Sequence, residues 1–132
     1  MTDFLTRGPL EKVDPEVKQL IDLESERQAR KLIMIPSESS SPEAVREGLG
    51  SRFQNLYAEG YPDEETRFMT EEENLDYVAR LTYFRRYSDP RYYKGVEYAD
   101  VVESLARRRC SELFATKDFP ADKIYSNVQP LS

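Results

Sequence analysis

Tyr57-Ala58-Glu59-Gly60-Tyr61-Pro62, answered further along by Arg91-Tyr92-Tyr93 and Glu97-Tyr98, is the stretch on which the reading of this chain turns. It sets one carboxylate among phenols, groups that can hold and move a proton. No amphipathic helical pattern runs from 55 to 62, and Gly60 with Pro62 marks a turn or ordered loop. The flanks must therefore supply the elements that hold it.

Upstream, Asp14 can cap a helix with Pro15 in its first position. Val17, Leu20 and Ile21 then form a narrow apolar stripe on a charged segment running to about Lys31. A stripe that narrow suits docking on a neighbour better than forming the centre of a core. Leu32–Ile35 is a short apolar run ended by Pro36, expected to be extended and buried. Ser41-Pro42-Glu43 opens a short helix through Val45 and Leu49, weakened by Gly48 and Gly50.

Downstream, Thr70 and Glu73 have capping-box spacing, and Leu75, Val78, Ala79, Thr82 and Tyr83 follow at helical intervals, which predicts one helix over 71–85. A second is expected from Tyr98 to Phe114, with Val101, Val102, Leu105, Ala106, Leu113 and Phe114 buried on one side. Ile124–Val128 alternates and is β-branched, so it reads as a strand with no visible partner, the start of an unfinished sheet. The fold class is thus α-rich, helices with one terminal strand of an incomplete sheet.

Composition narrows the chemistry. The 132 residues, 33% charged and 39% hydrophobic, allow one domain with a modest core. Mean hydropathy is −0.73, and no apolar run approaches the roughly 18 residues of a membrane span. Met1 to Leu10 lacks a basic region followed by an apolar stretch, so no secretory signal is expected and the cytoplasm is the default location. The single cysteine, Cys110, excludes an internal disulfide and reads as a buried, inert thiol. Histidine is absent, which removes Ser-His-Asp and Cys-His arrangements and leaves Glu, Tyr and Lys as proton carriers. No Cys/His metal site is expected. A net charge of −6 argues against nucleic acid as a partner, and Arg107-Arg108-Arg109 reads as a solvated helix face.

With Ile35-Pro36-Ser37-Glu38-Ser39 before them and Asn127-Val128-Gln129-Pro130 after, these words, in this order, resemble the N-terminal segment of serine hydroxymethyltransferase from about Asp14 to Ser132. The resemblance implies a fold-type-I α/β transferase dependent on pyridoxal 5'-phosphate. In that fold 1–54 would be a helical arm and its lead-in, and 55–132 the start of the large domain. The implied reaction interconverts serine and glycine with tetrahydrofolate as cosubstrate, in a homodimer or higher oligomer whose sites are shared between subunits. By position, Glu59 inherits the family's proton-carrying glutamate, and Tyr93 the second tyrosine of the pair, next to the cofactor's link to lysine. Ser37 and Tyr92 fall on the substrate side. Tyr57 falls on the tyrosine that reaches the neighbouring subunit's cofactor phosphate, and Ser132 on the first residue of the phosphate-binding turn. The family's cofactor lysine lies beyond Ser132. None of Lys12, Lys18, Lys31, Lys94, Lys117 and Lys123 stands in its context, so the chain alone is expected to be inactive and to need the remainder of the enzyme as partner.

Ser39 stands where the family usually has asparagine, Lys94 where it has glycine, Val96 where it often has cysteine and Leu131 where it has histidine or tyrosine. None of these removes a proposed catalytic group. The larger departure is about 63–90, inserted between words that the commoner form joins almost directly. Such a length is tolerable because closure entropy grows slowly. It reads equally as a lid, a subunit contact or a solvated decoration. Two other functions fit the same residues: a non-catalytic acidic helical module that binds a partner, and part of a pyridoxal-phosphate-dependent aldolase for β-hydroxy amino acids.

Overall fold

The computed structural model of the chain describes residues 8–88 and 91–128. It divides into two compact units, 1–45 and 46–132.

In the N-terminal unit, α1 (Leu10–Val13) is followed by α2 (Pro15–Arg30). The cap forms as the sequence predicts, with Val17 N donating to Asp14 Oδ1 at 3.0 Å and Pro15 in the first turn. Lys18 pairs with Asp22, Arg27 with Glu24 at 2.7 Å and Arg30 with Glu26 at 3.2 Å, a ladder of one-turn pairs along the exposed surface. No residue of α2 is buried, so Val17, Leu20 and Ile21 keep their apolar stripe in the open. Leu32–Ile35 carries no regular helix or strand, but it is not buried as expected: Leu32 is 83% and Met34 78% exposed. Apolar character alone cannot bury a run when its own unit offers nothing to cover it. At the boundary of the units, α3 (Glu43–Leu49) is short, as expected, and closes where Gly50 N donates to Arg46 O at 2.8 Å.

The C-terminal unit is built on α6 (Glu97–Leu113). Packed on it are α4 (Glu71–Leu75), α5 (Tyr77–Tyr87) and the 3-10 turns Glu64–Phe68 and Ala121–Lys123. The capping box is present: Glu73 N donates to Thr70 Oγ1 at 3.2 Å and Thr70 N donates back to Glu73 Oε2 at 2.7 Å. The single helix expected over 71–85 is two. Asp76 (φ −71°, ψ 80°) leaves helical geometry, and its Oδ1 accepts from Ala79 N at 3.0 Å to cap α5. Aspartate's competing local hydrogen bond wins there over the helical period.

The interior also differs from expectation. α6 buries Asp100, Val101, Ser104, Arg107 and Ser111, whereas Val102, Leu113 and Phe114 are exposed and Cys110 is half-buried. Arg107 is accordingly not on a solvated face; it reaches Glu64 at 3.4 Å, while Arg109 pairs with Glu71 at 2.5 Å. Buried polar groups need partners. Ser111 Oγ meets this by donating to Ile124 O at 3.1 Å and lying 3.0 Å from Ser126 Oγ, which ties the last described segment to α6. Ile124 itself is extended, but no strand occurs among the described residues. A strand needs a neighbour to complete its ladder, whereas Ser111 on α6 and the Arg67 guanidinium, 3.8 Å over the Tyr125 ring, hold 124–128 by side-chain contacts. Ser132, with Gln129, Pro130 and Leu131, lies outside the described residues.

Candidate functional site

The two tyrosine words meet through Arg91. Its side chain is fully enclosed and is held by two carboxylates one helical turn apart on α6, Asp100 and Glu103. The same guanidinium donates from Nη1 to the carbonyl of Ala58 at 2.7 Å. One side chain thus joins the Tyr57–Tyr61 loop, the Arg91–Tyr93 segment and the helix that anchors both. Burial opposes the charge on Arg91, but the bonds it donates to Glu103 and Asp100 outweigh it and raise its pKa, so it stays a cation.

Gly60 sits at φ +100°, and a Cβ there would lie 3.4 Å from Arg91 Cα. The loop can pass Arg91 this closely because glycine accepts that backbone. The clamp stacks Tyr57 on Tyr93, with ring centroids 5.7 Å apart and planes at 30°. Lys94 Nζ turns back to Arg91 O at 3.1 Å.

The predicted residues fall into three groups. Tyr57 and Tyr93 are in contact and remain open to solvent at 75% and 45% exposure. Glu59 and Tyr92 lie on the same two joined segments and are exposed. The Glu59 carboxylate, set among phenols in the sequence, is thus not enclosed by the described residues. Ser37 belongs to the N-terminal unit, in an exposed turn closed by Glu38 N donating to Ile35 O at 3.0 Å. Ser132 lies outside the described residues. What sequence reasoning missed is the Arg91 clamp. Its signal was available in Asp100 and Glu103, two acids at helical spacing just after an arginine that opens the tyrosine word.

The donors fit a phosphorylated aromatic cofactor in part. An open phenol at Tyr57 can donate to a phosphate oxygen while its ring stays packed. Lys94 is tethered to a backbone carbonyl beside the clamp, and no described residue supplies a lysine in the family's cofactor context. Among the described residues no acidic or cysteine cluster could hold a metal ion, and no helix is long and apolar enough to cross a membrane.

Comparison with known proteins gives one consistent result. The family model described as serine hydroxymethyltransferase matches residues 10–88 and 80–132. A serine hydroxymethyltransferase of Kocuria rhizophila is 42% identical over 132 residues, all of this chain and 23% of that protein. One from a Sulfurovum species is 42% identical over 123 residues, 93% of this chain and 22% of that protein. One from Kineococcus radiotolerans is 38% identical over 128 residues, 97% of this chain and 22% of its own length. The chain thus spans under a quarter of the length of these curated relatives. No solved structure matches it significantly.

Proposed function

The chain belongs to the serine hydroxymethyltransferase family, and on that premise we propose that it supplies the N-terminal part of an enzyme that interconverts serine and glycine, passing the one-carbon unit to tetrahydrofolate. The observation that carries this reading is the stacked Tyr57–Tyr93 pair, joined by Arg91 to the loop that bears Glu59.

In this proposal the complete enzyme is a cytoplasmic fold-type-I protein, at least a dimer, and the strand begun at 124–128 finds its neighbours in the rest of the sheet. Pyridoxal 5'-phosphate, when bound, withdraws electron density from the amino acid's α-carbon. The residues of this chain bind and steer around it. Tyr57 donates its phenol hydrogen to a phosphate oxygen of the partner subunit's cofactor, and Ser132 adds a hydroxyl to a phosphate. Ser37 holds the substrate carboxylate and Tyr92 contributes to the substrate side. Glu59 takes or returns a proton at the substrate hydroxyl. Tyr93, held against Tyr57, stands where amino acids enter and leave. Holding these groups before substrate arrives is worth more than any one contact, because misplacement is costly at a reacting centre.

The test is the intact mass of the native protein, followed by borohydride reduction to fix any lysine-linked cofactor. The expected result is a chain much larger than 15.4 kDa that carries the cofactor. A free chain of that mass, with no second chain that carries the cofactor accompanying it, would overturn the enzymatic reading in favour of a partner-binding module, whereas such a second chain would make this one a split subunit of the enzyme. Serine cleavage that proceeds equally well without folate would instead indicate an aldolase.

A further inference from the structure

We propose that Arg67 is a positioning residue for the 124–128 segment: its guanidinium, carried by the 63–90 insertion, grips Tyr125 and so sets the course of the chain towards the stretch that bears Ser132. The link from that course to cofactor binding rests on the proposed function, whereas the grip itself does not.

The turn Glu64–Phe68 that carries Arg67 is seated on α6. Thr66 at its centre is 1% exposed, and its hydroxyl donates to Asp63 O at 2.6 Å. Arg67 Nη1 donates to Glu64 Oε1 at 2.5 Å, and Glu64 Oε2 accepts from Arg107 Nη2 on α6 at 3.4 Å. One carboxylate thus lies between two guanidinium groups and fixes the head of Arg67 relative to the helix. The Arg67 guanidinium carbon stands 3.8 Å from the centre of the Tyr125 ring, a close cation–π contact.

Tyr125 and its neighbour Ser126 are held by different elements. Ser126 is buried against Ser111 of α6, with the two hydroxyl oxygens 3.0 Å apart, while Ser111 also donates to Ile124 O at 3.1 Å. Tyr125 is 69% exposed, and the guanidinium from the insertion stands over its ring. Two holds from separate elements fix a direction where one would leave a pivot. The gap among Arg67, Phe68, Arg107, Ser111, Ile124 and Ser126 is about 10 Å³, room for one water at most. The seam is closed, so the 63–90 segment meets 124–128 as a brace rather than as a lid.

In the full chain, nuclear magnetic resonance should show the Arg67 side-chain protons shifted upfield by the Tyr125 ring. Tyr125→Phe, which keeps an aromatic face, should preserve that shift and Tyr125→Leu should remove it. Heteronuclear Overhauser values of the 125–128 amides should fall in Tyr125→Leu and in Arg67→Met. They should stay at the parent level in Tyr125→Phe, and in Arg109→Met, which breaks the exposed pair to Glu71 between α6 and the same insertion. Unshifted Arg67 protons in the parent, unchanged Overhauser values in Tyr125→Leu, or an equal fall in Arg109→Met overturns the proposal. Should Arg67→Met fail to fold, Tyr125→Leu against Tyr125→Phe decides alone. In the complete enzyme, pyridoxal 5'-phosphate should bind about two- to fivefold more weakly to Tyr125→Leu than to Tyr125→Phe, the usual worth of one cation–π contact. Equal affinities would overturn the link to the cofactor. A complete parent protein that binds no cofactor would overturn the proposed function instead, and the spectra would still decide the Arg67 grip.

Discussion

Arg91 donates to the carbonyl of Ala58 at 2.7 Å, so a residue of the second tyrosine word holds the backbone beside Glu59 in the first. Asp100 and Glu103 hold the same guanidinium from α6. Arg91→Met would leave both carboxylates facing a neutral chain, and breaking a buried pair from one side costs about 3–5 kcal/mol. Chemical denaturation of the variant should show a loss of that size. A loss under about 1 kcal/mol, the range of exposed pairs, would mean the clamp is not structural.

Gly60→Ala tests the close passage. At φ +100° an added Cβ is strained whatever the space, and it would also press on Arg91 Cα from 3.4 Å. A destabilisation of about 1–2 kcal/mol is expected, with weakened Tyr57–Tyr93 contact. Denaturation midpoints that match the parent would show that the loop takes another path.

The capping box gives a third prediction. Thr70→Ala should cost about 1 kcal/mol, the usual worth of an N-cap hydroxyl, and a neutral result would mean that α4 does not depend on it.

Titration follows from the same acids. Backbone and side-chain bonds from Thr70 hold the Glu73 carboxyl below its usual value, a bond from Arg67 does so for Glu64 and one from Arg109 for Glu71. A depressed folded pKa stabilises above the unfolded value and the gain is lost as pH falls through the folded one. The C-terminal unit should therefore keep this stability above the ordinary glutamate value of 4.5 and lose it progressively below. In α2, Glu24 is pulled down to about 2 by hydrogen bonds from Arg27 and Gln28, so the Glu24–Arg27 pair should survive until pH nears that value. It is exposed, and high salt should weaken it. Circular dichroism against pH checks both, and stability rising on acidification would contradict them.

Much of the helical plan was legible because its signals are local. Asp14 with Pro15, and Thr70 with Glu73, mark helix starts that need nothing from the rest of the chain. Asp76 was missed because the apolar period runs through it while its side chain prefers to cap Ala79. The interior was missed because it is polar: Asp100, Ser104, Arg107 and Ser111 turn inward, where an apolar stripe had pointed to Val102 and Leu113. Tyr57 and Tyr93 were singled out separately by resemblance, and the arginine that joins them was passed over although Asp100 and Glu103 follow it at helical spacing. The expected burial of Leu32–Ile35 and the expected strand at 124–128 needed covering and pairing surfaces that are not found among the described residues.

The most direct measurement is serine-to-glycine turnover at saturating tetrahydrofolate in the complete enzyme, with and without Glu59→Gln, alongside cofactor absorbance. Turnover should fall by about 10²-fold or more, the usual worth of a positioned acid–base group, with cofactor binding retained. Turnover equal to the parent would contradict the proton-carrying role of Glu59 and the site built around it.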